Sequence, residues 1–173
     1  GDCIDTKRML SDLNLINRNP FRRVDVIYSA GSQMGTTDVM LTVQDRIPIR
    51  AYVGFDNTGV DPLGKNRIYA GINWANAFNL GHLLSLQYTT NPFHPSRIQG
   101  ITGHYTAPLS WRHVLVVYGG YSWIRSPPVP GLKTEGKTAQ TSLRYQIPLP
   151  SDNGLLHELE YGADWKWTNN DLA

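Results

Sequence analysis

From Ile47 onward the residues alternate apolar and polar with period two, in run after run. That alternation admits little besides antiparallel β-structure. Ile49, Ala51, Val53 and Phe55 oppose Arg50, Tyr52, Gly54 and Asp56. Ile68, Ala70, Ile72 and Trp74 oppose Tyr69, Gly71, Asn73 and Ala75, and Leu84, Leu86 and Tyr88 oppose Ser85, Gln87 and Thr89. The same holds for Ile101–Leu109, Leu115–Trp123, Ala139–Ile147 and Leu159–Trp167. The runs predict about seven strands of roughly 9–12 residues, the length that crosses a membrane as a tilted β-strand. Short turns after Phe78, Leu109 and Pro150 alternate with longer loops after Asp56, Thr90 and Arg125, as in transmembrane β-barrels.

The final run is the most informative. One of its faces holds Glu158, Glu160, Asp164 and Lys166, and the other holds Leu159, Tyr161, Ala163, Trp165 and Trp167. A charged lumen and an apolar outer surface explain the contrast. A soluble sandwich or lipocalin-like barrel produces the same alternation with the apolar side inward, and periodicity alone does not separate the two. Aromatic residues at predicted strand ends (Phe55, Trp74, Phe78, Tyr88, Trp123, Trp165, Trp167) favour an interfacial girdle.

Composition narrows the function. The 173 residues are 40% hydrophobic and 17% charged, with 16 Gly and 18 aromatic residues, which disfavours a disordered chain. The net charge of +2, with Arg22-Arg23 the densest basic spot, points away from nucleic acid. No apolar run reaches the length of a transmembrane helix, and no signal peptide opens the chain. The single cysteine, Cys3, has no partner for an internal disulfide and no histidine in view to activate it. His82, His94, His104, His113 and His157 are scattered without metal-ligand spacing, although His104 falls on a polar strand face as a lumen residue would. Glu158 and Glu160 share a face, but a charged strand face is more often solvated than catalytic. Neither a nucleophile elbow nor a phosphate-binding loop occurs. Glycines inside strands suit a curved wall better than a phosphate cradle. No catalytic residue, metal site or cofactor is expected.

The first 46 residues have a different texture. Met9, Leu10, Leu13 and Ile16 recur at helical spacing, Asp2 or Asp5 can cap the helix, and Asn17-Arg18-Asn19-Pro20 stops it. Val24, Val26 and Tyr28, a turn over Ala30–Gly35, and Val39, Leu41 and Val43 then read as a hairpin. One helix and two strands bury little area, so the natural protein is expected to begin before Gly1.

At Asn17-Arg18-Asn19-Pro20-Phe21-Arg22-Arg23-Val24-Asp25 the sequence resembles the two-partner secretion transporters, the haemolysin activation/secretion proteins. These carry a similar stretch in their second POTRA (polypeptide-transport-associated) domain. Gly35-Thr36-Thr37-Asp38 is similar to that domain's hairpin, and Val43-Gln44-Asp45-Arg46 to its junction with the barrel. Gly54–Gly59, Gly71–Asn76 and Gln87–Thr90 are similar to the first three barrel strands. The resemblance covers residues 16–121 and weakens after Pro127.

The resemblance implies a bacterial outer-membrane barrel of about sixteen strands, preceded by two periplasmic POTRA domains that bind an unfolded exoprotein by β-augmentation and hydrophobic grooves. The expected fold is thus mostly β. Residues 1–46 would be the C-terminal part of a POTRA α/β unit, and residues 47–173 the first antiparallel up-and-down strands of a transmembrane β-barrel. Arg50, Asp56, Arg144, Glu158, Glu160, Asp164 and Lys166 would line the lumen, and Thr37, Val39, Leu41 and Val43 would meet the exoprotein. The partners would be a secreted exoprotein and outer-membrane lipid. The family's inward-folding loop with its Arg-containing motif has no counterpart here. A soluble β-rich binding module and a barrel-assembly factor of the same superfamily are the alternatives.

Overall fold

The computed structural model describes residues 4–126, 134–152 and 155–172. Cys3 and the candidate cap Asp2 lie outside these. Asp5 caps helix α1 (Thr6–Ile16) by accepting from the Arg8 N–H at 3.0 Å, satisfying one orphan donor of the first turn. Among the described residues no helix is long and apolar enough to cross a membrane.

The Asn-x-Asn-Pro stretch after α1 acts through its side chains. Asn17 makes a two-way bond with the backbone of Val24: its amide donates to the carbonyl at 2.9 Å, and its oxygen accepts from the N–H at 2.7 Å. Asn19 Oδ1 accepts from the Phe21 N–H at 3.0 Å. Asn17 thereby ties the helix end to β1 (Arg22–Ala30), whose Val24 is buried. Strand β1 pairs antiparallel with β2 (Thr37–Asp45), and Gly35 takes the positive φ of 85° that the connection requires. Arg22 and Asp45 close the open end of this hairpin at 2.7 Å, and the carboxylate holds the guanidinium above its ordinary pKa. Of the predicted helix stripe, Met9 and Leu13 are half-buried, whereas Leu10 and Ile16 stay exposed. Two strands are too narrow a platform to cover the whole stripe.

The remaining strands form one sheet in chain order: β3 (Ile49–Asp56), β4 (Arg67–Ala77), β5 (His82–Thr90), β6 (Ile98–Pro108), β7 (Val114–Arg125), β8 (Thr134–Asp152) and β9 (Leu155–Leu172). Every neighbouring pair is antiparallel. This is the up-and-down order that the alternation predicts. One connection includes a single 3-10 turn, Asp61–Leu63. Buried Asn91 holds that turn to the next loop, donating to the Leu63 carbonyl at 2.9 Å and accepting from the N–H groups of Phe93 and His94. The tight β4–β5 turn places Asn76, Phe78, Asn79 and Gly81 at positive φ.

The last hairpin departs from expectation. Strand β8 has 19 residues and β9 has 18, against the predicted 9–12. Residues 134–137, which fall between Arg125 and the predicted strand Ala139–Ile147, are paired strand. Ser151 and Asp152, assigned to a turn, end β8. The prolines of the predicted loop, Pro127, Pro128 and Pro130, lie outside the described residues, as do Asn153 and Gly154. Pairing continues past the apolar band through Glu135, Lys137, Asn169 and Asn170, where apolar–polar alternation no longer marks it.

Candidate functional site: the two faces of the seven-stranded sheet

The pairing register turns the period-two sequence into rows that run across the sheet. One middle row is Ala51, Ile72, Leu86, Gly103, Gly119, Thr141 and Trp165. The next towards the loops is Val53, Ala70, Tyr88, Ile101, Tyr121, Ala139 and Trp167. These apolar rows are uncovered: Ile101 is 50% exposed, Tyr121 43% and Trp165 59%. Apolar side chains open to the surroundings in contiguous rows on every strand make a surface for a non-aqueous neighbour. On β8 the band runs from Ile147 to the boundary row of Lys137, where Phe55, Ile68 and Trp123 stand among the polar Thr90, Gln99 and Asn169. Ten residues span about 33 Å along a strand. A tilt of about 40° reduces that to about 25 Å, the height of the apolar band of an outer-membrane barrel.

Aromatic residues mark the turn end of this band. Trp74 packs on Phe78 with centroids 5.2 Å apart. Tyr105 meets His82 edge to face through a hydrogen bond between its hydroxyl and Nδ1. Tyr145 accepts from Trp111 Nε1 at 2.9 Å and lies 2.6 Å from His113 Nδ1. Side chains with an apolar body and a polar tip belong at such a boundary. At the loop end Trp123 donates to Glu135 at 2.8 Å. Trp165 and Trp167, predicted at a strand end, sit inside β9 because that strand runs on to Leu172.

The opposite face is polar. One row reads Arg50, Asn73, Ser85, His104, Tyr118, Ser142 and Asp164, and another Tyr52, Gly71, Gln87, Thr102, Gly120, Gln140 and Lys166. Glu160 follows Gln146, Glu158 follows Pro148, Arg144 joins Val116, and Asp56 opposes Arg67. All seven residues predicted for the lumen therefore share one face. Tyr52 reaches across β4 to Gln87, with 3.0 Å between its hydroxyl and Oε1. Gly71 makes that reach possible: a Cβ there would collide with the Tyr52 ring and stand 2.8 Å from the Leu86 carbonyl oxygen.

Three of the seven residues meet. Arg144 contacts Asp164 at 2.7 Å and Glu160 at 3.6 Å, and its guanidinium lies 5.5 Å from the Tyr118 ring centroid. Tyr118 stacks in turn on His104. Gln146 donates to Glu160 at 2.9 Å. Glu158 is met instead by Arg18, at 2.7 Å, from the loop after α1. Asp56 turns to its own loop and accepts from the Thr58 hydroxyl at 2.7 Å. Arg50 and Lys166 stand on the two edge strands. Among the described residues no group of three His, Cys, Asp or Glu side chains could hold a metal ion.

The exoprotein candidates Thr37, Val39, Leu41 and Val43 share one exposed face of β2. Their partners across the hairpin are Ala30, Tyr28, Val26 and Val24. Helix α1 lies along the β1 side of that face, where the Tyr28 hydroxyl meets Met9 Sδ at 3.1 Å, so an apolar strip remains beside it. Sequence reasoning missed the His–Tyr–Trp contacts, the Arg18–Glu158 pair and an Arg112–Asp12 pair at 2.7 Å. Each joins strands or units far apart in sequence, and nothing local signals them.

No curated protein matches the chain. Among solved structures, CdiB from Escherichia coli superposes with a TM-score of 0.83 at 18% identity, over 99% of this chain and 33% of that one. CdiB from Acinetobacter baumannii gives 0.72 at 20% identity, over 99% and 34%. BamA from Haemophilus ducreyi, in a crystal structure lacking POTRA domains 1–3, gives 0.60 at 17% identity, over 100% and 31%. The chain spans about a third of the length of these proteins. The profile of the haemolysin secretion/activation proteins matches residues 35–173. It takes in the stretch beyond Pro127 and begins after the Asn17–Asp25 segment. With two-faced strands that share the fold of these barrels, and with most of its length matched, the chain belongs to the haemolysin secretion/activation family ShlB/FhaC/HecB, outer-membrane two-partner secretion transporters rather than enzymes.

Proposed function

We propose that this chain forms part of a transporter that binds an unfolded exoprotein in the periplasm and passes it through a β-barrel pore. In this reading residues 47–173 are the first strands of the barrel. Their apolar rows face lipid, and Arg50, Asp56, Arg144, Glu158, Glu160, Asp164 and Lys166 line the lumen. Residues 1–46 are the end of a periplasmic POTRA domain. There Thr37, Val39, Leu41 and Val43, exposed on β2, take an extended segment of the exoprotein as an added strand.

The observation that carries this reading is the segregation of the two faces: every charged residue named for the lumen lies opposite the contiguous apolar rows. A water-filled passage needs a polar wall that sets its field and hydration. Family membership favours secretion over barrel assembly.

The test uses the full-length protein. Cells lacking it are expected to retain the exoprotein in the periplasm, and restoring it returns secretion. A cysteine at position 164 should react with a water-soluble thiol reagent, and one at position 101 only with a lipid-dissolved one. Undiminished secretion in the deletion strain, or the reverse labelling, overturns the reading.

A further inference from the structure

Among the described residues two ion pairs connect the N-terminal α/β unit to the seven-stranded sheet, and their signs alternate. Asp12, on the half-buried side of α1, accepts from Arg112 in the β6–β7 turn, at 2.7 Å and 2.8 Å to its two oxygens. Arg18, one residue past the helix cap, donates to Glu158 at the start of β9, at 2.7 Å. The small unit thus offers minus and plus, and the sheet offers plus and minus. A unit docked the other way round would set like charges together, so the pattern encodes one orientation. The backbone points the same way. Arg112 sits at a positive φ of 71°, a conformation glycine adopts freely and arginine does not. Asn17 holds the loop before Arg18 to Val24 of β1, Asn19 closes a local turn onto Phe21 after it, and the Arg18 side chain reaches the sheet.

Arg18 also borders a recess of about 400 Å³ on the polar face, together with His104, Tyr118, Arg144 and Glu160. We infer that Asp12–Arg112 and Arg18–Glu158 form a reversible clamp that seats the α/β unit on the turn-end rim of the barrel wall and places Arg18 across the mouth of the lumen-face recess. The inference rests on the lumen reading above for its second half only. All four side chains are part-exposed, so each pair biases docking by no more than roughly fivefold. Independent pairs multiply, to roughly 25-fold together. That is enough to set a resting position and little enough to be released.

The experiment is cross-linking by a short bifunctional thiol reagent, which spans the gap left by two long side chains, in full-length protein in outer membranes and a cysteine-free background. Arg18→Cys with Glu158→Cys should cross-link through this reagent much faster than Arg18→Cys with Lys166→Cys, whose second position lies further along the same strand. Adding Asp12→Lys should lower the cross-linking rate about fivefold, and adding Arg112→Asp to that variant should restore it. Equal rates for the two cysteine pairs, or a rate indifferent to Asp12→Lys, overturn the clamp. Separately, labelling of Asp164→Cys by a lipid-dissolved reagent alone would remove the lumen reading, and the cross-linking rates would still decide the clamp.

Discussion

The seven-stranded sheet and the β1–β2 hairpin both expose apolar side chains, and the exposure means different things in the two places. In the large sheet Ile72, Leu86 and Trp165 belong to a row that crosses all seven strands, with a polar face opposite. In β2, Val39, Leu41 and Val43 lie on one side and Met40 on the other, both exposed, on a strand with one partner among the described residues. Rows shared by many strands make a continuous wall, suited to lipid. Apolar residues on both sides of an edge strand make a template for one more strand. Exposure alone does not distinguish these; continuity across the register does.

Substitutions sharpen this contrast, the largest effect first. Leu86→Arg, in the middle of the outer band, should destabilise the full-length barrel by about 2–4 kcal/mol, whereas Gln87→Arg on the other face should change little. Denaturant unfolding in lipid vesicles measures both. Equal costs would mean that the faces are not differently solvated. Met40→Arg, exposed but outside the wall, should stay within about 0.5 kcal/mol.

Gly71→Ala tests the close approach of Tyr52, and overpacking there should cost about 1–3 kcal/mol in the same unfolding assay. Asn17→Ala removes both bonds to the Val24 backbone and should cost the N-terminal unit about 1–2 kcal/mol. Amide exchange at Val24 would report the loss, and unchanged protection would mean that the bonds contribute nothing net. Leu41→Lys should leave stability within about 0.5 kcal/mol while weakening exoprotein binding. Titration of the exoprotein against the variant checks this, and full binding would remove β2 as the contact strand.

Strands β3 to β7 were legible because their alternation ends where the apolar band ends. Strands β8 and β9 were not, because Glu135, Lys137, Asn169 and Asn170 continue the ladder where no burial pattern reports it. The helix was legible in existence and cap, yet its buried side was only half right: Leu10 fits the stripe and remains exposed, since β1 and β2 offer too little surface. The lumen candidates were legible as one face, but the joining of Arg144 to Asp164 and Glu160 was not.

Period-two alternation alone settled the strand order, the antiparallel pairing of neighbours and which residues share a face, because side chains alternate along any strand and short connections force neighbours to pair. It left open which face meets lipid, since water and hydrocarbon select the same alternation with opposite sense. The rows of the folded sheet add that the apolar side stands uncovered and continuous across every strand, which is what the lipid-facing proposal rests on. The tertiary structure alone brought Asp12 to Arg112 and Arg18 to Glu158, across 100 and 140 residues of chain. Contacts at that separation depend on how two units pack, and no local spacing encodes them.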